Sequence, residues 1–435
     1  MSSICSPLSP EACLITVQRS PKTASQLAQN AAKSDSNPQG RGFNRKGHLK
    51  GDHLHFRGDE LALVLNRFDL GVISAASAFD RGCKRSPKAK IVSEKGKYLL
   101  KRRASGNDSP ERVATAHHIQ SLLQTAGFPL ARLTANRVDG KTALVLDGNT
   151  YELFEYVHGK RCHGTSGQLI EAGATLAKYH QILQRSAGEL NLPTGGVHQS
   201  GQVQKIFRKL VAMDLGDGNA ALRASLQRAL ARLGTVYHTA ATRVNQLGYP
   251  DWPLMVTHCD WHPGNLLFDG GHIRAVLDHD SPRLQPRVAD IACGMLQFSI
   301  RGEAGAKTDF DPAININAAR QLLFGYDSVQ VVSVAEIKAI PWLMIEAIAA
   351  RVAVGLASKL FDGAGAAASL ILMMDARAAW MSENAQSVIH ELLKPLDMTT
   401  PMVKTPDSVA KSSSQTNAPL WPGRNIKIAS GAEQN

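Results

Sequence analysis

Residues 257 to 268 read THCDWHPGNLLF, with two histidines, a cysteine, an aspartate and an asparagine in one short stretch. A metal cage, a catalytic loop and a polar turn all compete for such a run. His258 and His262 are four apart, and two histidines at that spacing chelate one ion when a helix sets them on a common face. No helix is predicted here: Val256 and Thr257 are β-branched and continue a strand-like run, while Pro263-Gly264 stops any helical turn at once. A zinc site is therefore set aside. Other residues of the stretch suit phosphoryl transfer. Asp260 and Asn265 flank the Pro-Gly turn, and Asp278 ends the following strand-like piece, RAVLD. The order His-x-Asp-x-x-x-x-Asn, then Asp, supplies a carboxylate to orient a hydroxyl and take its proton. It also supplies an amide oxygen and a second carboxylate to hold magnesium against nucleotide phosphates. A hairpin can bring the three side chains together.

Working outward, LMVTHCD, NLLFDGG and IRAVLDHD form a β island in helical surroundings. Helices are predicted over GQLIEAGATLAKYHQILQ, across 219 to 247, and near the end across 334 to 360 and 364 to 392. From about 61 to 153 the pattern is strands with one helix. LGVISAASAF, KAKIVSEKG and KYLLKRR read as strands, and the helix opens at Asp108 or Ser109 with Pro110 and ends at Gly127. KTALVLDGNTYELFEYVHG then reads as a hairpin turning at Asp147, Gly148 and Asn149. The expected fold class is α+β with two lobes: a small antiparallel β lobe with one helix over 53–155 and a larger, mostly helical lobe over 156–395. Residues 1–52 form an expected disordered basic arm, and 396–435 an expected disordered tail, because neither carries a hydrophobic period.

Composition narrows the class. With 43% hydrophobic and 20% charged residues the chain can build cores, and no apolar run suggests a membrane span, so no membrane partner is expected. The N-terminus lacks a secretory pattern, and six scattered cysteines with no C-x-x-C pair fit a reducing cytoplasm. A net charge of +12 is compatible with nucleic acid, acidic lipid or an anionic small molecule such as a nucleotide. GRGFNRKGHLKG in the arm is read as solvated chain rather than a nucleic-acid tether. The sequence says nothing of oligomeric state.

HCDWHPGN followed by VLDHD resembles the phosphotransferase enzyme family, which includes aminoglycoside phosphotransferases, choline kinases and homoserine kinase-like proteins and has a protein-kinase-like fold. The resemblance extends to YLLKRR, similar to the strand carrying the nucleotide-phosphate lysine, to YELFEYVHG at the hinge, to AGATLAKYH in the first large helix of the second lobe, and to RVADIA after the metal aspartate. It implies an ATP- and magnesium-dependent kinase with a small-molecule hydroxyl acceptor. Asp260 would be the base, Asn265 and Asp278 the magnesium ligands, and Lys101 the contact to the α- and β-phosphates. The hinge backbone from Glu155 to Val157 would bind adenine. A non-catalytic relative that binds only nucleotide or a partner is the alternative, and its mark would be loss of Asp260, Asn265 or Asp278; all three are present.

Three departures stand out. No Gly-x-Gly-x-x-Gly precedes Lys101, so FDRGCKRSPK is the candidate phosphate-covering loop. No glutamate is evident as a partner for Lys101, which leaves His117, His118 or Asp278. His279 and Asp280 replace the usual aromatic and glycine after Asp278, with Asp280 a candidate for a second metal contact. Trp261, Arg301, Glu303, Trp342, Glu346 and Arg351 are candidates for acceptor selection, and the positive charge weighs against polycationic aminoglycosides.

Overall fold

In the first lobe, alternating apolar positions form strands that bury one face. β1 (Ile73–Ala78), β2 (Lys88–Ser93), β3 (Gly96–Arg102), β4 (Ala143–Leu146) and β5 (Asn149–Glu155) make one antiparallel sheet in the order β1-β2-β3-β5-β4. The computed structural model describes residues 54–212, 220–300, 310–357 and 364–396. The basic arm, nearly all of the tail, and the acceptor candidates Arg301 and Glu303 lie outside them. The β4–β5 hairpin turns through Asp147 (φ 49) and Gly148 (φ 71), two consecutive left-handed positions that suit Asp-Gly. α2 (Pro110–Thr125) starts where Ser109 accepts a hydrogen bond from the Arg112 amide.

One element differs from expectation. The sheet lobe holds a second helix, α1 (Gly58–Leu65), too short for its period to register in the sequence. It buries Val64 and Leu65 in the lobe's own core with Ile91, Leu100, Tyr151 and Leu153, and its Glu60 accepts from Tyr151 Oη at 2.9 Å and from Arg102. That core is distinct from the larger one that follows. Two lobes are the result.

The connector after β5 is pinned to the second lobe. Lys160 exchanges two backbone hydrogen bonds, at 2.7 and 2.8 Å, with Phe268 on β7 (Leu266–Asp269). Gly159 is required there, because a Cβ on it would lie 2.8 Å from Leu267 Cβ. β7 pairs with β8 (His272–Val276), while β6 (Leu254–Thr257) pairs with β9 (Arg283–Pro286), so the β island holds a second ladder besides the expected hairpin.

Helices enclose this island: α3 (Ser166–Leu183), α4 (Gly201–Val211), α5 (Ala220–Gln246), α6 (Arg287–Ser299), α7 (Ile316–Asp327), α8 (Val334–Ala357) and α9 (Ala364–Leu393). The sequence reading passed over α4, α6 and α7. α3 and α7 touch backbone to backbone: a Cβ on Gly173 would sit 1.9 Å from Leu322 O, and one on Gly325 1.9 Å from Ile170 O. α8 is long and apolar enough to cross a membrane by composition, yet 72% of its most apolar window is buried in this core.

Candidate active site

The candidate catalytic loop begins where β6 runs out. Its first two amides, His258 N–H and Cys259 N–H, donate to one buried carboxylate, Asp290 on α6, at 2.7 and 2.9 Å. Asp290 also meets His180 Nε2 of α3 at 3.0 Å, and His180 Nδ1 contacts Tyr326 Oη of α7 at 2.7 Å. Three helices thus fix the start of the loop. Burial alone would raise Asp290, but the hydrogen bonds and the neighbouring histidines outweigh it and hold the carboxyl below its ordinary value.

Within the loop, Cys259 has φ 61 and Asp278, on the facing chain, has φ 59. Left-handed backbone at a non-glycine costs roughly 1–3 kcal/mol and persists only where its surroundings over-determine it. Here Asp290 holds Cys259, and the Leu277 amide donates to Asn265 O at 2.8 Å, which sets Asp278 beside Asn265. Asn265 Nδ2 lies 3.0 Å from both Asp260 O and Asp260 Oδ2. Both contacts use the amide nitrogen, so Asn265 Oδ1 remains as an oxygen donor.

Both loop histidines brace. His258 is fully buried, accepts from the Asp260 amide at 3.3 Å, and packs edge-on to Tyr179, Trp261 and His279. Burial lowers its pKa. His262 caps the Pro263–Asn265 turn, its Nδ1 accepting from Gly264 N–H at 3.0 Å, and its Nε2 lies 3.6 Å from Asp260 Oδ1.

The sheet lobe answers with a buried ionic cluster. Lys101 Nζ is 2.6 Å from Asp280, 3.6 Å from Asp278 and 3.9 Å from Glu152. Arg103 donates to Glu152 at 2.8 Å and to Asp280 at 2.7 Å. Glu152 is fully buried, and His117 Nε2 of α2 lies 2.7 Å from its Oε1. The missing partner of Lys101 is therefore shared among carboxylates. Asp280 is nearest, Glu152 stands directly across the β3–β5 register, and His117 braces Glu152 instead of replacing it. His118 is exposed. Burial would push Lys101 down, but Asp280, Asp278 and Glu152 overcome it and raise it. Burial likewise opposes ionisation of Asp280, yet Lys101 and Arg103 hold it well below the carboxylate range. Asp278 goes the other way: burial, aided by Asp280 and Asp260 against the pull of Lys101, pushes it up to about 6.

Magnesium fits this donor set. Among the described residues no group of three or more His, Cys, Asp or Glu forms a cage. Magnesium needs none, being held by one or two carboxylates together with phosphates and water. The available Asn265 Oδ1 and the crowded Asp278 carboxyl are suitable oxygens.

At the hinge, Glu155 N–H is committed to Arg132 O at 2.8 Å and Tyr156 N–H to Lys97 O at 2.8 Å, which leaves Val157 as the next amide. Of the acceptor candidates, Trp261 is 2% exposed and packs against Gly294, so it belongs to the core. Trp342 also packs on the core, and Arg351 is half-buried on the same helix. Glu346 is buried and ties down the 197–200 loop, its carboxylate accepting from Gln199 N–H at 2.9 Å and contacting His198 at 2.7 Å. Glu152 and Arg103 were missed as site residues because only strand pairing places them there.

Known proteins resemble this chain over the same region. The model of the phosphotransferase enzyme family matches residues 84–331. A homoserine kinase of Caulobacter sp. (strain K31) is 27% identical over 294 residues, covering 66% of this chain and 81% of that protein. One of Rhizobium meliloti is 24% identical and is covered over 79% of its length. Among solved structures, an aminoglycoside phosphotransferase from Alicyclobacillus acidocaldarius superposes with a TM-score of 0.54 at 17% identity, over 75% of this chain and 95% of that one. A microcompartment-associated aminopropanol kinase gives 0.53 at 16%, over 76% and 98%. Both structural likenesses speak to the fold alone. With the family model spanning more than half of its length, the chain belongs to the phosphotransferase enzyme family.

Proposed function

We propose that this small-molecule kinase moves the γ-phosphate of ATP, with magnesium, to a hydroxyl of its acceptor, and that Asp260 is the base. One observation carries the reading: a carboxylate held by a neighbouring amide, Asp260 with Asn265 at 3.0 Å, stands on one lobe, and Lys101 faces Asp278 and Asp280 from the other.

Asp260 orients the acceptor hydroxyl through one carboxylate oxygen while Asn265 Nδ2 fixes the other, and it takes the proton as the new P–O bond forms. Asn265 Oδ1 and Asp278 would hold magnesium. Magnesium supplies charge neutralisation for a loose phosphoryl transition state, which needs positioning more than covalent help. Lys101 reaches the α- and β-phosphates from its carboxylate cluster, and adenine is read by the backbone at Glu155 and Val157. The acceptor is an amino alcohol, a hydroxy amino acid, a sugar or an aminoglycoside. The homoserine kinases among the relatives make hydroxy amino acids the first class to try.

ADP release with magnesium-ATP against that acceptor panel tests the reading. Asp260→Asn should lower turnover by roughly 10²–10⁴-fold with nucleotide binding retained. Parental activity in that variant would remove Asp260 from the role.

A further inference from the structure

Beside the catalytic loop lies a cavity of about 850 Å³, lined by both lobes and including Arg85, Asn107, Gln199, Cys259, Arg283 and Gln285. That volume suits a small ligand. Its charge is one-sided. Arg85 comes from the β1–β2 loop and Arg283 from β9, and neither forms an ion pair among the described residues. The carboxylate in the wall, Asp290, is already engaged by the two loop amides and His180.

Arg283 is well placed. It faces Thr257 across the β6–β9 register, three residues before Asp260, a span of at most about 10 Å of chain. Its guanidinium lies 3.5 Å from Gly195 O, the outer limit of a hydrogen bond, so it is half-buried and almost unmatched. One further feature favours an anion: the first turn of α4, Gly201 to Val203, lines the same cavity and presents the positive end of a helix. Gln285, 4% exposed and lining the cavity, keeps its Oε1 without a hydrogen-bond partner, an acceptor that suits a donor group rather than the anion. The wall is also preset: Gln199 holds φ 45 because buried Glu346 takes its amide.

We propose that this cavity receives the acceptor and that Arg283 recognises a carboxylate on it, which selects a hydroxy amino acid over a neutral amino alcohol or a polycationic sugar. The proposal deepens the phosphotransfer reading and rests on it for the word acceptor. Planar Arg–carboxylate recognition gives a strong, directional contact, and a half-buried guanidinium facing a cation would cost affinity.

Binding, not turnover, tests it. The full chain with magnesium and a non-hydrolysable ATP analogue is titrated calorimetrically with L-homoserine and with its decarboxylated counterpart, 3-aminopropan-1-ol, and likewise with L-serine and ethanolamine. The carboxylate of at least one pair should bind 10-fold or more tighter than its amine. Arg283→Gln should erase that ratio and Arg283→Lys should restore part of it, each with an unchanged melting temperature. Equal affinities within both pairs, no binding of either amino acid, or a ratio that survives Arg283→Gln overturns the proposal. ADP release reports separately on phosphotransfer: if the carboxylate preference holds while no ADP forms, the reaction falls and the anion subsite stands.

Discussion

The two walls of the cleft are built on opposite principles. At the sheet lobe, Lys101, Arg103 and Glu152 meet Asp280 of the helical lobe in a buried network of full charges, in which Lys101 has three carboxylates at 2.6, 3.6 and 3.9 Å. On the helical lobe, the loop bearing Asp260 hangs by its backbone amides from one carboxylate, and the aromatic and imidazole rings of Tyr179, His258 and His279 pack around it. A cation with one close and two more distant carboxylate partners can exchange them when a polyanion arrives. A backbone held by hydrogen bonds cannot move without breaking them. On the proposed reading, the first wall would adapt to nucleotide and the second would keep Asp260 in place.

The sharpest way to break that contrast is Asp290→Ala. It strips the acceptor from His258 N–H, Cys259 N–H and His180 at once, and losing one partner of such a buried set typically costs about 3–5 kcal/mol. Chemical unfolding should show that loss, and turnover should fall with it. An unchanged unfolding midpoint would mean the loop is held by something else.

Next in size is the pH response, where the walls should part. His279 is pushed down to about 3 by burial with His258 beside it, and His258 is lowered too. The unfolded chain takes up protons below about pH 6.5 that these rings refuse when folded, so stability is full above that pH and declines as pH drops toward 3. The slope is about 1.4 kcal/mol per pH unit per histidine. Asp280 and Glu152 are lowered instead, so their contribution is intact above about pH 4 and is lost only below it. Stability measured from pH 7.5 to 4.5 should fall in the parent and fall less in His279→Phe. Identical slopes would discard the neutral-wall account.

The smallest effect sharpens the other wall. Glu152→Gln keeps the shape but removes one of the charges facing Lys101 and Arg103. If the cluster tunes nucleotide binding, KM for ATP should shift by roughly 3- to 10-fold with kcat changed less. A pure loss of kcat would place Glu152 nearer the chemistry than the nucleotide-binding cluster.

How much of this was legible follows the range of the contacts. The loop residues Asp260 and Asn265 form a local motif, and a turn five residues wide places them with little help. YLLKRR, AGATLAKYH and RVADIA were recognisable through the family resemblance, but of their residues only Lys101 was read as a site residue; the parts played by His180 and Asp290 emerge from the structure. α1 escaped because eight residues hold barely two turns. Glu152 escaped for a different reason: within YELFEYV it looks like any polar residue of a strand, and only the pairing of β3 with β5 sets it opposite Lys101. Arg103 and Glu152 are 49 residues apart, and Lys101 and Asp280 are 179 apart.

The amino-acid order alone therefore determined which chemistry is possible, because side-chain type and short-range turn geometry are local properties. Which acid answers Lys101, what holds the loop bearing Asp260, and that Arg283 lines a cavity whose described carboxylate, Asp290, is already engaged were decided only by the tertiary structure. Those properties depend on burial and on distances between segments far apart in the chain, and no local pattern encodes either.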